Sequence, residues 1–296
     1  MNLQQLELVL AIADTGSIHS ACRSLNKTQP TLTKALSQLE KELGTPLFVR
    51  SSRGMRPTEA GAKVIKRAYA ICTETNRLKD EVHQILGGTQ GSASVCVSPF
   101  IAYAVMPQVL VDYKKTWPHI EVTVVEEVHP NSLARLREGR VDMVVGPSPE
   151  IPSREFTEEP FYSTDLMVIT SASSQYRDAK SLIELLDIPW ASLSSKQGVG
   201  RLWTETFTDH GLPTPSRVTW LDSFVTFLEF TKQSGCCGLF PQMSLDRFPF
   251  ASELVSVVVK EPPKIMTVSL FTRSEDPLPP ASEALANLIR LHANAL

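Results

Sequence analysis

No stretch of this 296-residue chain approaches the roughly 18 consecutive apolar residues of a membrane-spanning helix. The opening MNLQQLELVLAIADTG has no basic leader and carries Glu7 and Asp14, so a secretory signal is not expected and the protein is placed in the cytoplasm. Cysteine is scarce: Cys22, Cys72, Cys96, Cys236 and Cys237 make an odd count with no C-x-x-C pair, which favours neither a disulfide framework nor a zinc site. Most of them read as small buried hydrophobes, and the vicinal Cys236-Cys237 is the one candidate for redox chemistry. Missing too are G-x-S-x-G, a phosphate loop, a dinucleotide fingerprint and metal-ligand spacing, and the six histidines form no recognisable dyad. No enzyme activity, metal or cofactor is therefore expected.

A strong charge of either sign is also lacking, since the net value is −3. That total conceals a split. Residues 1–90 hold 12 Lys/Arg and 8 Asp/Glu, a net of +4, while the remainder holds 17 and 24, a net of −7. A basic arm on an acidic body points to nucleic acid as the partner of the arm.

What is present in that arm fits such a partner. Leu3, Leu6, Leu10 and Ala13 fall on one helical face, with Gly16 as a stop. Ser17 can cap a second helix that turns Ile18, Ala21, Cys22 and Leu25 inward. Asn26-Lys27 makes a turn, and Thr28 caps a third helix that tolerates Pro30 in its first turn. This helix is expected to bury Leu32, Leu36, Leu39 and Leu43 and to end at Gly44. Its outward side presents Gln29, Thr31, Thr33, Lys34 and Gln38: amides and hydroxyls for base edges, and a cation for phosphate. With Ser17 they form the candidate DNA-reading set. The apolar Leu47-Phe48-Val49 then leads to Arg50, Arg53 and Arg56 around Gly54, the pattern of a two-stranded wing with arginines for the DNA backbone or minor groove.

From Thr58 a long helix is expected over 58–86, with Ala68, Ile71, Thr75, Leu78, Val82 and Ile85 as a heptad seam. Its 29 residues at ~1.5 Å each would span roughly 43 Å. So long and narrow a helix needs a partner, which predicts self-association. Residues 87–91, Gly-Gly-Thr-Gln-Gly, read as a hinge.

Beyond the hinge, strands and helices alternate. A strand through Ala93, Val95 and Val97 is followed by a helix near 104–116, a strand over 120–127, a helix over 132–138 and a strand over 141–146. A second set comprises strands 166–170, 190–193, 217–220 and 237–240, with helices 181–186, 201–210 and 223–233. A strand over 265–272 returns to the first set, and a helix over 281–291 closes it. This order predicts an α/β body with parallel strands, in two lobes around a cleft. Ligands in such sheets lie beyond the C-terminal strand ends, which picks out Ser98, Phe100, Ile101, Pro147, Ser148, the 194–198 loop with Gln197, Phe224 and Phe240. Hydroxyls and amides beside phenyl rings suit a small organic anion with an apolar body. His129 is a lone histidine, expected at the surface or in packing.

The run from Gln29 to Arg50, Q-P-x-L-x-x-x-L-x-x-L-E-x-x-L-G-x-P-L-F-x-R, resembles the winged helix-turn-helix of LysR-type transcriptional regulators. Cys22, Thr33 and Pro57 depart from the commonest residues of that pattern, and Thr33 bears on a DNA contact. The resemblance continues more weakly through SPFIAYAVMPQVLVDYKKTWP and LREGRVDMVVG. It implies a winged helix-turn-helix over 1–57, a dimerisation helix over 58–86, a hinge over 87–91, and over 92–296 a two-lobed, periplasmic-binding-protein-like effector domain. Lobe I would comprise about 92–163 and 265–296, and lobe II about 164–264. The effector is then expected near Ser98, Phe100, Gln197 and Phe240. The implied partners are promoter DNA, a small co-inducer, a second copy in a dimer or tetramer, and RNA polymerase. A plain solute-binding protein is disfavoured by the basic arm, and an enzyme by the missing catalytic motifs.

Overall fold

The computed structural model describes the chain outside residues 52–53, 86–89, 149–153, 194–199, 243–252, 262, 275–276 and 294–296. Two units result: Met1–Gln90 with Arg137–Arg140, and Gly91–Leu136 with Val141–Leu296. Among the described residues no helix is long and apolar enough to cross a membrane.

In the first unit, helix α1 (Leu3–Thr15) opens with a reciprocal capping box between Asn2 and Gln5 and closes at Gly16 in the left-handed region. The expected single apolar face is in fact two. Leu8, Val9 and Ile12 join Ala21, Leu32, Leu36, Leu39, Leu47 and Phe48 in one core, while Leu6, flanked by Leu3 and Leu10, packs on Ala68 and Cys72. The helix is buried on both sides because α2 (Ile18–Ser24) and α3 (Gln29–Leu43) pack on one and α4 (Glu59–Ile85) on the other. Thr28 stands at the N-cap of α3, but its hydroxyl pairs with that of Thr31 at 2.8 Å instead of capping a backbone amide. Leu43, expected inside, is 39% exposed, since the last turn of α3 runs past the core.

Strands β1 (Phe48–Ser51) and β2 (Gly54–Pro57) form the antiparallel wing, with Val49 opposite Arg56 and Arg50 opposite Met55. The Met55 N–H donates to the Gly16 carbonyl at 2.8 Å, fixing the wing to the turn between α1 and α2. A side chain on Gly54 would place Cβ 2.5 Å from that same carbonyl oxygen. At the start of α4 the Thr58 hydroxyl accepts from the Gly61 N–H at 2.9 Å and donates to the Pro46 carbonyl at 2.8 Å. Gly61 lies so close beneath the wing that a Cβ there would sit 1.9 Å from the Leu47 carbonyl oxygen. Of the expected heptad seam, Ala68 instead belongs to the α1 contact. Ile71, Leu78 and Val82 remain exposed, at 44%, 61% and 49%, in spacings of seven and four along α4. Residues 86–89 and the Ile85 side chain lie outside the described residues.

In the second unit nine strands of the described residues form one sheet, in the order β4-β3-β5-β11-β6-β9-β7-β8, with β10 (Leu254–Val257) also on β6. Strands β3 (Gly91–Val97), β4 (Ile120–Glu126) and β5 (Met143–Pro147) run parallel as lobe I. Strands β7 (Trp190–Leu193), β8 (Val218–Leu221) and β9 (Cys237–Pro241) run parallel as lobe II. The strand expected over 166–170 is one part of a 16-residue strand β6 (Phe156–Ser171), which pairs antiparallel with β11 (Ile265–Arg273) and then with β9. The β6–β11 register skips Phe161 beside Pro160, a bulge where a proline has no N–H to contribute.

Helices α5 (Pro99–Ala104), α6 (Met106–Thr116), α7 (Asn131–Arg137) and α10 (Pro280–Ala293) belong to lobe I, and α8 (Gly200–Thr208) and α9 (Phe224–Ser234) to lobe II. The segment expected as a helix over 181–186 is a short 3-10 turn, Leu182–Leu185. Asp142, 6% exposed, ties lobe I together: its Oδ2 accepts from the Ser94 amide at 2.8 Å, the Ser94 hydroxyl at 2.9 Å and the Ser282 hydroxyl at 2.8 Å.

Gly61→Ala is expected to cost about 1–3 kcal/mol, because the added methyl meets fixed backbone. Urea unfolding followed by the helical signal checks this, and an unchanged midpoint would show that the junction yields.

Candidate functional site

In the first unit Gln29, Thr31, Thr33, Lys34 and Gln38 are all exposed on α3, so the expected reading face is presented to solvent. The Thr31 hydroxyl is shared with Thr28. Ser17 is half-buried, and its hydroxyl is the N-cap acceptor for the Ser20 N–H at 3.5 Å. Arg50 and Arg56 are exposed on the wing. Cross-strand partners share a face of a ribbon, so Arg50, opposite Met55, and Arg56, opposite Val49, project from opposite faces. Arg53 lies outside the described residues. His19, not anticipated, lines a shallow recess with Ser17, Arg50 and Met55.

In the second unit a cleft opens between the lobes. Ser98, Phe100, Pro147, Phe224 and Phe240 line it as expected. The Ser98–Ile101 segment is not a loop, because Ser98 stands at the N-cap of α5 and its amide donates to the Val145 carbonyl at 2.8 Å. Phe100 faces the cleft, whereas Ile101, one helical step on, is fully buried in the core and does not line it. Ser148 also turns away. Ser269 commits its proton to the Glu158 carboxylate at 2.8 Å, so the Ser148 hydroxyl donates to Ser269 at 2.7 Å. Gln197 lies outside the described residues. Phe224 and Phe240 stack at 6.0 Å between centroids and 18° between planes.

The strand-end rule missed Ser192, Leu202, Trp203, Phe227 and Met266, which complete much of the wall. Phe227 was within reach, since it follows Phe224 by three residues on one helix face. The described lining carries no charged side chain. Trp203 is 3% exposed, and its indole N–H is buried without an acceptor among the described residues. Neighbouring Trp190, by contrast, donates to the Leu185 carbonyl at 2.8 Å. An unmade bond of that kind costs about 1–3 kcal/mol. The Cys236 and Cys237 thiols are buried, and burial pushes both up, Cys237 to about 12, so both stay protonated and neither has the thiolate character that redox chemistry needs.

The family model for bacterial regulatory helix-turn-helix proteins of the lysR family matches residues 3–62, and that for the LysR substrate binding domain matches residues 86–294. The chain belongs to the LysR family of transcriptional regulators. A probable nitrogen assimilation transcriptional activator of Synechococcus elongatus is 28% identical over 95% of this chain and 92% of its own length. The regulator GbpR of Azospirillum brasilense is 25% identical over 97% of this chain and 86% of its own. The solved structure of CbnR, a LysR family transcriptional regulator, shares the fold at a TM-score of 0.72 and 18% identity, covering 99% of each chain.

As a LysR regulator the protein combines a helix-turn-helix that binds DNA with a domain that binds a small effector. In that domain His129, expected at the surface or in packing, is buried under the cleft-lining Pro147. Its Nε2–H donates to the Pro147 carbonyl at 2.6 Å, and its Nδ1 accepts from the Ser132 hydroxyl at 2.6 Å. The Phe271 ring meets it edge-on. Burial holds His129 below its ordinary value of 6.5, against the Pro147 carbonyl and the Glu158 charge, which act the other way.

The folded state therefore favours neutral His129. Its contribution to stability is complete at neutral pH and declines as pH falls below about 6.5, where the unfolded chain takes up the proton first. Unfolding midpoints measured from pH 7.5 down to pH 5 should fall less steeply in His129→Gln than in the natural protein. Equal slopes would remove His129 from the titration.

Proposed function

We propose that this LysR regulator binds a promoter operator as a self-associated assembly, in the cytoplasm, and that an effector in the interlobe cleft sets its DNA-bound geometry. The observation that carries the DNA half is the exposed polar side of α3 beside a wing with arginines on opposite faces. Gln29, Thr31, Thr33, Lys34 and Gln38 would meet base edges and phosphates in the major groove, with Ser17 at the end of α2 on the backbone. A ribbon entering a minor groove edge-on offers Arg50 to one strand and Arg56 to the other; Arg53, expected to join them, lies outside the described residues.

Self-association would use Ile71, Leu78 and Val82, whose exposed spacing on α4 suits a helix partner. Dimer and tetramer both fit such a seam. A solved complex of CbnR with its target DNA shares the fold at a TM-score of 0.70 and 18% identity. The effector would bind among Ser98, Phe100, Pro147, Phe224 and Phe240, and would shift the assembly only as far as it prefers one arrangement of the lobes. The expected organic anion would draw on Gln197 and its loop, outside the described residues. RNA polymerase is the partner such an assembly would meet at a promoter.

Lys34→Ala and Arg56→Ala should each lower the dependence of log affinity on log salt by about 1, measured by anisotropy on the DNA upstream of the gene. Unchanged affinity in both would remove α3 and the wing as the DNA face. Leu78→Asp should convert the assembly to monomer at micromolar concentration in sedimentation, and an unaltered assembly would move the interface elsewhere.

A further inference from the structure

We propose that the turn Arg137–Arg140 is a latch on α4, and that its contact with Tyr69 passes the state of the effector domain to the DNA-reading head. This deepens the function proposed above and rests on it. In sequence the turn lies between α7 and β5 of the second unit, yet it belongs to the first. Gly139 within it is buried and takes a left-handed φ of 69°, which a residue with a side chain would adopt only under strain. A Cβ there would lie 3.6 Å from the Ala70 Cα and 4.0 Å from the Thr73 Cβ, so the turn rests on α4 itself. Arg140 holds its guanidinium carbon 4.5 Å from the centre of the Tyr69 ring, over its face, where a cation is attracted by the ring quadrupole. The hydroxyl of that same tyrosine donates to the Asp14 carboxylate in the last turn of α1. One side chain on α4 thus joins the latch to the helix that carries Leu8, Val9 and Ile12 into the reading core.

Both flanks of the turn are fixed within lobe I. The Arg273 guanidinium on β11 donates to the Leu136 carbonyl at 3.0 Å and to the Val141 carbonyl at 3.1 Å, the residues on either side of the turn. Leu136 and Val141 are themselves buried with Phe271 of the same strand. The other end of α7 is tied to the cleft. Ser132 donates to His129, which donates to the carbonyl of the cleft-lining Pro147. Midway, Arg135 pairs with both oxygens of Glu127, at 2.5 and 3.0 Å. Helix α7 has seven residues, a length of about 10 Å, so the cleft wall and the latch are two ends of one short, braced element. A ligand that prefers one position of the wall therefore prefers one position of the latch on Tyr69. Linkage is reciprocal, so DNA held by the reading head has to be felt at α7.

Amide hydrogen exchange of the full chain, free and saturated with the DNA upstream of the gene, tests this, with binding followed on the same samples by anisotropy. Exchange across residues 131–141 should change by about fivefold or more when DNA binds, the lower end of ordinary coupling factors. Arg140→Ala should lose most of that response, and so should Tyr69→Phe, which removes only the hydroxyl. Arg140→Lys, which keeps a cation for the ring, should retain it. Saturation of each variant with the same DNA shows that its reading head is folded. DNA binding with no change across 131–141 in the natural protein would overturn the latch. A full response in Arg140→Ala, or a response lost equally in Arg140→Lys, would overturn the contact with the ring. A full response in Tyr69→Phe would overturn the link to α1. Absence of DNA binding by the natural protein would instead overturn the DNA reading on which the latch rests.

Discussion

Strands β6 and β11 hold each other over nine paired positions, from Ile265 opposite Asp165 to Arg273 opposite Phe156. The second unit depends on this ladder. Lobe I hangs on it through β5, and lobe II through β9 and β10. The cleft opens where β6 passes from one lobe to the other, so Leu166 on β6 and Met266 on β11 lie in its wall. The two crossing strands pair on both sides of the Phe161 bulge, so neither lobe is joined to the other by a single unpaired strand.

The same region joins the cleft to a buried polar chain. Pro147 lines the cleft, and its carbonyl accepts from His129. Ser148, the next residue, continues through Ser269 to Glu158. A ligand pressing on Pro147 therefore acts on groups whose hydrogen bonds are already committed, and such groups respond as a set.

Much of this was legible in the residues, and the failures have physical causes. The helix-turn-helix, the wing and the alternating α/β order were readable because cap residues, glycine stops and apolar periodicity all agree there. The two-sided burial of α1 was not, because a helix packed on both sides has no single apolar stripe to find. The first half of β6 was hidden by its composition, TEEPFYSTD, which lacks the apolar alternation of a strand and earns its place by pairing with β11. At the cleft, the rule of strand ends located Ser98, Pro147 and Phe240 but assigned Ile101 and Ser148 as well, since it names a loop and not a direction. Trp203 escaped because it stands inside α8 rather than at a strand end.

The packing of α1 between α4 and the helix-turn-helix core has a mechanical consequence. Leu6 grips Ala68 and Cys72 on one side, while Leu8, Val9 and Ile12 grip α3 and the wing on the other. Helix α4 has 27 residues, so at ~1.5 Å each it is a lever about 40 Å long with the reading head clamped at one end. A tilt of about 5° at its far end moves the head by roughly 3.5 Å, close to the 3.4 Å between successive base pairs. Motions too small to disturb any core are thus large enough to change which base steps the head can reach.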